Sequence, residues 1–156
     1  ISISGDDAAQ IQRSLSSMQL RYEHQSQSAI KLLNWLKKQK EFVQVLHPSD
    51  EASAGHTYWK EVCKQGHSAG LVSVILDPKY TFEDVRKFCD ALTLFKLGFS
   101  WGGPVSLVML YNLNEMRSLE HTHLKQGFLV RFCIGLEHSE DLIQDIENAI
   151  KTLNKP

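Results

Sequence analysis

Cysteine is scarce: Cys63, Cys89 and Cys133 are the only three in 156 residues. They are widely spaced, odd in number and form no Cys-x-x-Cys pair, which argues against a zinc ribbon or a disulfide framework. Three reduced thiols in a cytoplasmic protein is the plain reading. No apolar run approaches the ~18 residues that a membrane span requires. No signal peptide is visible, and the chain opens on Ile1 rather than Met, which points to a processed chain or a piece of a longer one. Neither sign of charge is in excess, with 17 Lys and Arg against 18 Asp and Glu and a pI near 6.7. That balance removes the electrostatic case for nucleic acid and for a membrane surface. No GxGxxG, P-loop, HExxH or GxSxG pattern is present. What remains is an ordinary soluble composition, 42% hydrophobic and 22% charged, long enough for one core without staples.

Ile11, Leu15, Met18, Tyr22, Ala29, Leu33 and Leu36 recur at helical spacing and predict one long helix over 7–38, with a break near Gln25 and Ser26. Strands are expected at 42–46, 70–76, 94–99 and 128–134. Residues 49–69 read as loop with a helical turn at 58–63, and residues 103–127 as a long excursion. Thr81, Glu83 and Asp84 open a second amphipathic helix, and Glu140 and Asp141 open the last one. Helices alternating irregularly with short strands predict an α+β domain of two layers, a small and largely antiparallel sheet with helices on one face. The organisation expected is a long linking helix over 1–40 followed by a small α/β domain over 41–156.

Two segments stand out. Ser100-Trp101-Gly102-Gly103-Pro104 combines a hydroxyl, an indole donor and two glycines at a strand end, where backbone can approach a ligand or simply turn. The second is Arg131, within Phe128–Ile134. Strand alternation places it beside Leu129 and Cys133 on an apolar face. A guanidinium there needs an anionic partner, either an internal Asp or Glu or a ligand carboxylate that its planar fork fits. The pair His121-x-His123 lacks a third ligand at convincing spacing, so no metal site is expected.

These same segments resemble the carboxyl-terminal part of the Cys/Met-metabolism family of pyridoxal-phosphate enzymes, whose fold-type I transferase architecture has such a domain. The matching stretches are 94–107, 128–137 and 141–145, with Asp6-Asp7-Ala8, Trp35-Leu36, Val45-Leu46-His47-Pro48 and Tyr58-Trp59-Lys60 in the same order. Within the family the motifs are closest to the bacterial cystathionine β-lyases. Ser-Trp-Gly-Gly is their form, where γ-acting relatives usually read Ser-Leu-Gly-Gly. Two positions depart from the pattern: Phe99 stands where the β-lyases carry Tyr, and His138 where Asp is usual.

The resemblance implies that Arg131 clamps a substrate α-carboxylate, with Ser100 and Trp101 completing that site. It also implies a C–S lyase that converts cystathionine and water to homocysteine, pyruvate and ammonia in methionine biosynthesis. Pyridoxal 5'-phosphate is the implied cofactor, a large cofactor-binding domain of the same polypeptide the implied partner, and a homotetramer the implied assembly. None of the 12 lysines lies in the Ser/Thr-rich context of the family's Schiff-base lysine. The chain is therefore expected to bind no cofactor and to be inactive alone. Two other readings stay open: a domain of cystathionine γ-lyase or methionine γ-lyase, and a non-catalytic binding or oligomerisation module.

Overall fold

Serines decide how the amino-terminal stripe folds. In the computed structural model, which describes residues 2–63, 66–116, 119–120 and 122–153, the stripe forms two helices, α1 (Gly5–Leu15) and α2 (Met18–Leu36). Ser4 caps α1 by accepting from the Asp7 amide. The break falls at Ser16 and Ser17, nine residues before the expected one. Ser14 and Ser16 turn their hydroxyls back onto the carbonyls of Gln10 and Arg13, at 2.7 and 2.8 Å. Serine competes in this way with the helical ladder. Gln25 and Ser26 lie instead within α2 and are buried. No residue of α1 is buried, and Ile11 and Leu15 stand more than half exposed.

After α2 come β1 (Phe42–Leu46), α3 (His56–Val62), β2 (Leu71–Leu76), α4 (Phe82–Asp90), β3 (Lys96–Leu97), β4 (Leu107–Asn112), α5 (Leu113–Met116), β5 (Phe128–Cys133) and α6 (Ser139–Leu153). The strands form one sheet in the order β1-β2-β5-β4-β3. Every pairing is antiparallel except β3 with β4. The largely antiparallel, helix-covered sheet is thus as expected. One strand was not: β4 lies inside the stretch read as an excursion and fills the gap between β5 and β3. The strand expected over 94–99 shrinks to two residues. Asp145 of α6 takes the amides of Thr93, Leu94 and Phe95 onto its carboxylate, at 2.9 to 3.3 Å, and so withholds them from any ladder.

One face of the sheet is the core. Val72 and Val74 of β2, Val108 of β4, and Val130 and Phe132 of β5 are fully buried with Ala29, Leu36, Val85, Phe88 and Ile146 of the three long helices. Phe132 meets Phe95 and Phe88 edge-on, with centroids 5.1 and 6.5 Å apart, the favoured geometry of aromatic pairs. Thr81 and Asp84 close a reciprocal capping box at the start of α4. No helix among the described residues is long and apolar enough to cross a membrane.

Candidate carboxylate site

Alternation along β5 sends Arg131 to the face away from the helices. Its register partners there are Ser73 of β2 and Met109 of β4. β5 is the middle strand, so the guanidinium rises from the best-braced position in the sheet. Its Nη2 donates to the Phe99 carbonyl at 2.7 Å and, at 3.4 Å, to that of Gly98. The rings of Trp101 and Tyr111 lie 5.9 and 5.7 Å from its central carbon, within cation–π range. None of the described ion pairs involves it. Its Nε is buried and has no hydrogen-bond partner. A cationic donor left unpaired out of water costs more than a neutral one.

The three residues singled out in the sequence therefore come together. Trp101 stacks over Arg131, and Ser100 sits between Trp101 and the carbonyl that Arg131 holds. The Ser100 side chain and the Trp101 ring face solvent, the latter 64% exposed. The alternative of an internal Asp or Glu for Arg131 is not met among the described residues. Backbone carbonyls solvate part of the charge through Nη2, and Nε is left without a partner. Carbonyls carry only partial charge, so the site keeps a net positive character.

Several supports were not foreseen. The turn bends at Gly102, whose φ of +77° lies in the left-handed region that a side chain strains. The Gly102 amide donates to Sγ of Cys133 at 3.4 Å. Burial pushes the Cys133 thiol up, the amide pulling weakly the other way. Glu137 accepts from both the amide and the hydroxyl of Ser106, and the Leu136 amide donates to the Pro104 carbonyl at 2.8 Å. Gly135 is needed for that approach, because a Cβ there would strike the Pro104 carbonyl and the Ser106 amide. On the opposite side Gln25 of α2 donates to the Gly103 carbonyl at 2.8 Å. In the sequence Gln25 showed only as a polar interruption of an apolar stripe.

Three further features were also raised by the sequence or the surface. A groove of about 420 Å³ runs along β1 and is lined by Lys37, Asp50 and Lys125 but not by Arg131. His121 lies outside the described residues, and the carbonyl of His123 accepts from Gln44. Cys63, Cys89 and Cys133 are free thiols.

A Schiff-base lysine must be desolvated to act as a nucleophile near neutral pH. Every described lysine is exposed. Lys31, Lys37, Lys79 and Lys87 pair with surrounding carboxylates, and Lys96 donates to the Thr93 carbonyl. The described residues thus bring together a candidate carboxylate site, and none of the described lysines is desolvated as an anchor for pyridoxal phosphate would be.

The family described as Cys/Met metabolism PLP-dependent enzyme matches residues 1–151. A cystathionine β-lyase of Bordetella avium is 35% identical over 149 residues, which are 96% of this chain and 37% of that protein. An L-alanine/L-glutamate racemase of Wolbachia pipientis is 30% identical over 154 residues, 98% of this chain and 38% of that protein. Among solved structures, an O-acetylhomoserine sulfhydrylase of Wolinella succinogenes superposes with a TM-score of 0.79 at 27% identity, covering 96% of this chain and 39% of that one. The chain spans well under half the length of the relatives it matches. With motif, fold and similarity in agreement, the chain belongs to the Cys/Met-metabolism family of pyridoxal-phosphate-dependent enzymes.

Proposed function

We propose that this chain is the carboxyl-terminal, substrate-carboxylate-binding domain of a carbon–sulfur lyase that cleaves cystathionine by β-elimination. One observation carries the reading: Arg131 is a half-buried guanidinium with an orphaned Nε, no acidic partner among the described residues, and Trp101 and Ser100 beside it. The α-carboxylate of an amino acid supplies the missing anion. Arg131 binds it through its planar fork, and Trp101 and Ser100 close over the same end of the substrate. Held there, the substrate presents its α-carbon in a fixed direction, and such positioning is a large part of catalysis. Pyridoxal phosphate, held by residues outside this chain, would supply the electron sink. Its lysine belongs to a large domain of the same polypeptide, so this stretch alone is inactive.

The choice of β-elimination rests on Trp101 and on the resemblance of the Ser-Trp-Gly-Gly turn to the β-lyase form. The similarity to a sulfhydrylase and to a racemase makes the reaction itself the thing to test. A protein carrying this chain together with its cofactor-binding part should release pyruvate from cystathionine. Release of 2-oxobutyrate would assign it to the γ-acting relatives. Racemisation of alanine without elimination would overturn the lyase assignment. The carboxylate site is tested separately in this chain: added acetate should shift the Arg131 Nε–H resonance in a saturable way, and no shift would remove the proposed role.

A further inference from the structure

The turn that carries Ser100 and Trp101 is pinned at two carbonyls. At Phe99 the pin is Arg131, the proposed substrate anchor, with Nη2 at 2.7 Å. At Gly103 it is Gln25, with Nε2 at 2.8 Å. Between the pins the chain passes through Gly102 at positive φ, with Ser100 and Trp101 both exposed. Neither exposed side chain braces it from outside. Where the turn sits over the guanidinium thus depends on the two carbonyl anchors, on the weak Gly102 contact to Cys133 and, just past the turn, on the Leu136 amide that holds the Pro104 carbonyl.

Gln25 is placed for this with some care. It is 7% exposed in the middle of α2, where burying an amide is costly unless it is hydrogen-bonded. Gly70 makes its room: a Cβ at residue 70 would stand 3.3 Å from the Gln25 Cβ and 3.1 Å from the Ile134 carbonyl. The neighbouring Ser26 accepts from the Ser68 amide at 2.8 Å and fixes this turn of α2 to the approach of β2. His24 stands 3.4 Å from the Glu137 carbonyl, at the other end of the support under the turn. One turn of α2 therefore touches the loop and its buttress together.

We infer that Gln25 is the positioning residue through which α2 sets the Ser100–Gly103 turn over Arg131, an inference that rests on the carboxylate reading. Without the Gln25 donor, Arg131 becomes the chief anchor of the turn, and the turn wanders with the group that should be binding substrate. The test is Gln25→Met in this chain, which keeps length and helix propensity and removes the amide with its donor. Gln27→Met, at an exposed site on the same helix, is the control. Three quantities are read by NMR and thermal melting: hydrogen exchange at the Gly102 amide, the acetate Kd at the Arg131 Nε–H, and the unfolding midpoint.

Loss of one hydrogen bond should speed Gly102 exchange and weaken acetate by about 3- to 10-fold. The midpoint should stay close to that of the control, which separates positioning from general destabilisation. Should Gln25→Met not fold, Gln25→Leu, likewise without a donor, is read the same way. Unchanged Gly102 exchange overturns the inference, however acetate behaves. Absence of any acetate response in the unsubstituted chain instead sinks the carboxylate reading, and Gly102 exchange then decides the role of Gln25 alone.

Discussion

Glu137 grips Ser106 twice, its carboxylate accepting from the backbone amide at 2.9 Å and from the hydroxyl at 2.7 Å. Ser106 is fully buried, and its oxygen also accepts from the Gly135 amide. Glu137→Ala leaves two buried donors unpaired and should cost about 2–6 kcal/mol, since each buried orphan costs about 1–3. The urea midpoint measures that loss. Glu137→Gln, which keeps one acceptor, should lie in between. A midpoint unchanged in Glu137→Ala would mean that the clasp contributes nothing to stability.

Asp145 performs the same service for the chain entering β3. It accepts from the amides of Thr93, Leu94 and Phe95 and from the Thr93 hydroxyl. Removing it in Asp145→Ala should cost about 3 kcal/mol or more, because hydrogen bonds to a charged acceptor are the stronger kind. Phe95, otherwise 2% exposed, should then become reachable. Amide exchange at residues 93–95 would rise before global unfolding.

Arg131→Lys should damage the carboxylate site although it keeps the charge. Lysine is a point charge and cannot match a carboxylate with two parallel bonds. The expected loss is about 2–4 kcal/mol. In the complete enzyme this is on the order of 30- to 1,000-fold in kcat/KM, at about tenfold per 1.36 kcal/mol. Substrate saturation curves for the two proteins would show it, and equal kcat/KM values would remove Arg131 from the site.

The three thiols should separate by reactivity. Cys63 is exposed, whereas burial pushes the Cys89 thiol up to about 12, helped by the Asp90 carboxylate. A thiol reagent at neutral pH should therefore titrate Cys63 quickly and Cys89 only on unfolding. Linkage adds a pH effect. Above the ordinary value near 9.0 the unfolded thiol ionises while the folded one holds its proton up to about 12. This contribution to stability is complete below about pH 9 and declines by about 1.4 kcal/mol per pH unit between those limits. Comparing the pH dependence of the urea midpoint in Cys89→Ala isolates it, and identical slopes would remove the effect.

Much of the fold could be read locally. The β-branched run of β2, the Thr81–Asp84 box and the apolar stripe of α6 each state their structure within a few residues. So could the core of the site, because an arginine on an apolar strand face is anomalous wherever it occurs. What escaped was set by distant partners. β4 follows a glycine-rich turn and reaches β5 only after residues 113–127, with no tight hairpin signal to mark it. Gln25 interrupts an apolar stripe for the sake of a carbonyl 78 residues away. The helix break did leave a trace in the run Ser14-Leu15-Ser16-Ser17, whose backbone-seeking hydroxyls compete more directly than the buried pair at 25 and 26.

The place of β5 in the sheet also carries a cost during synthesis. The strand that joins β2 to β4 is the last of the five to leave the ribosome, and α6 follows it. Until residues 128–133 emerge, the nascent chain can form only two separate ribbons, β1 with β2 and β3 with β4. Each ribbon then presents an open edge of unpaired amides beside valines meant for the core. Such edges recruit neighbouring chains. Translation that stalls before Phe128 therefore leaves a sticky intermediate, which chaperones must shield until β5 has been made.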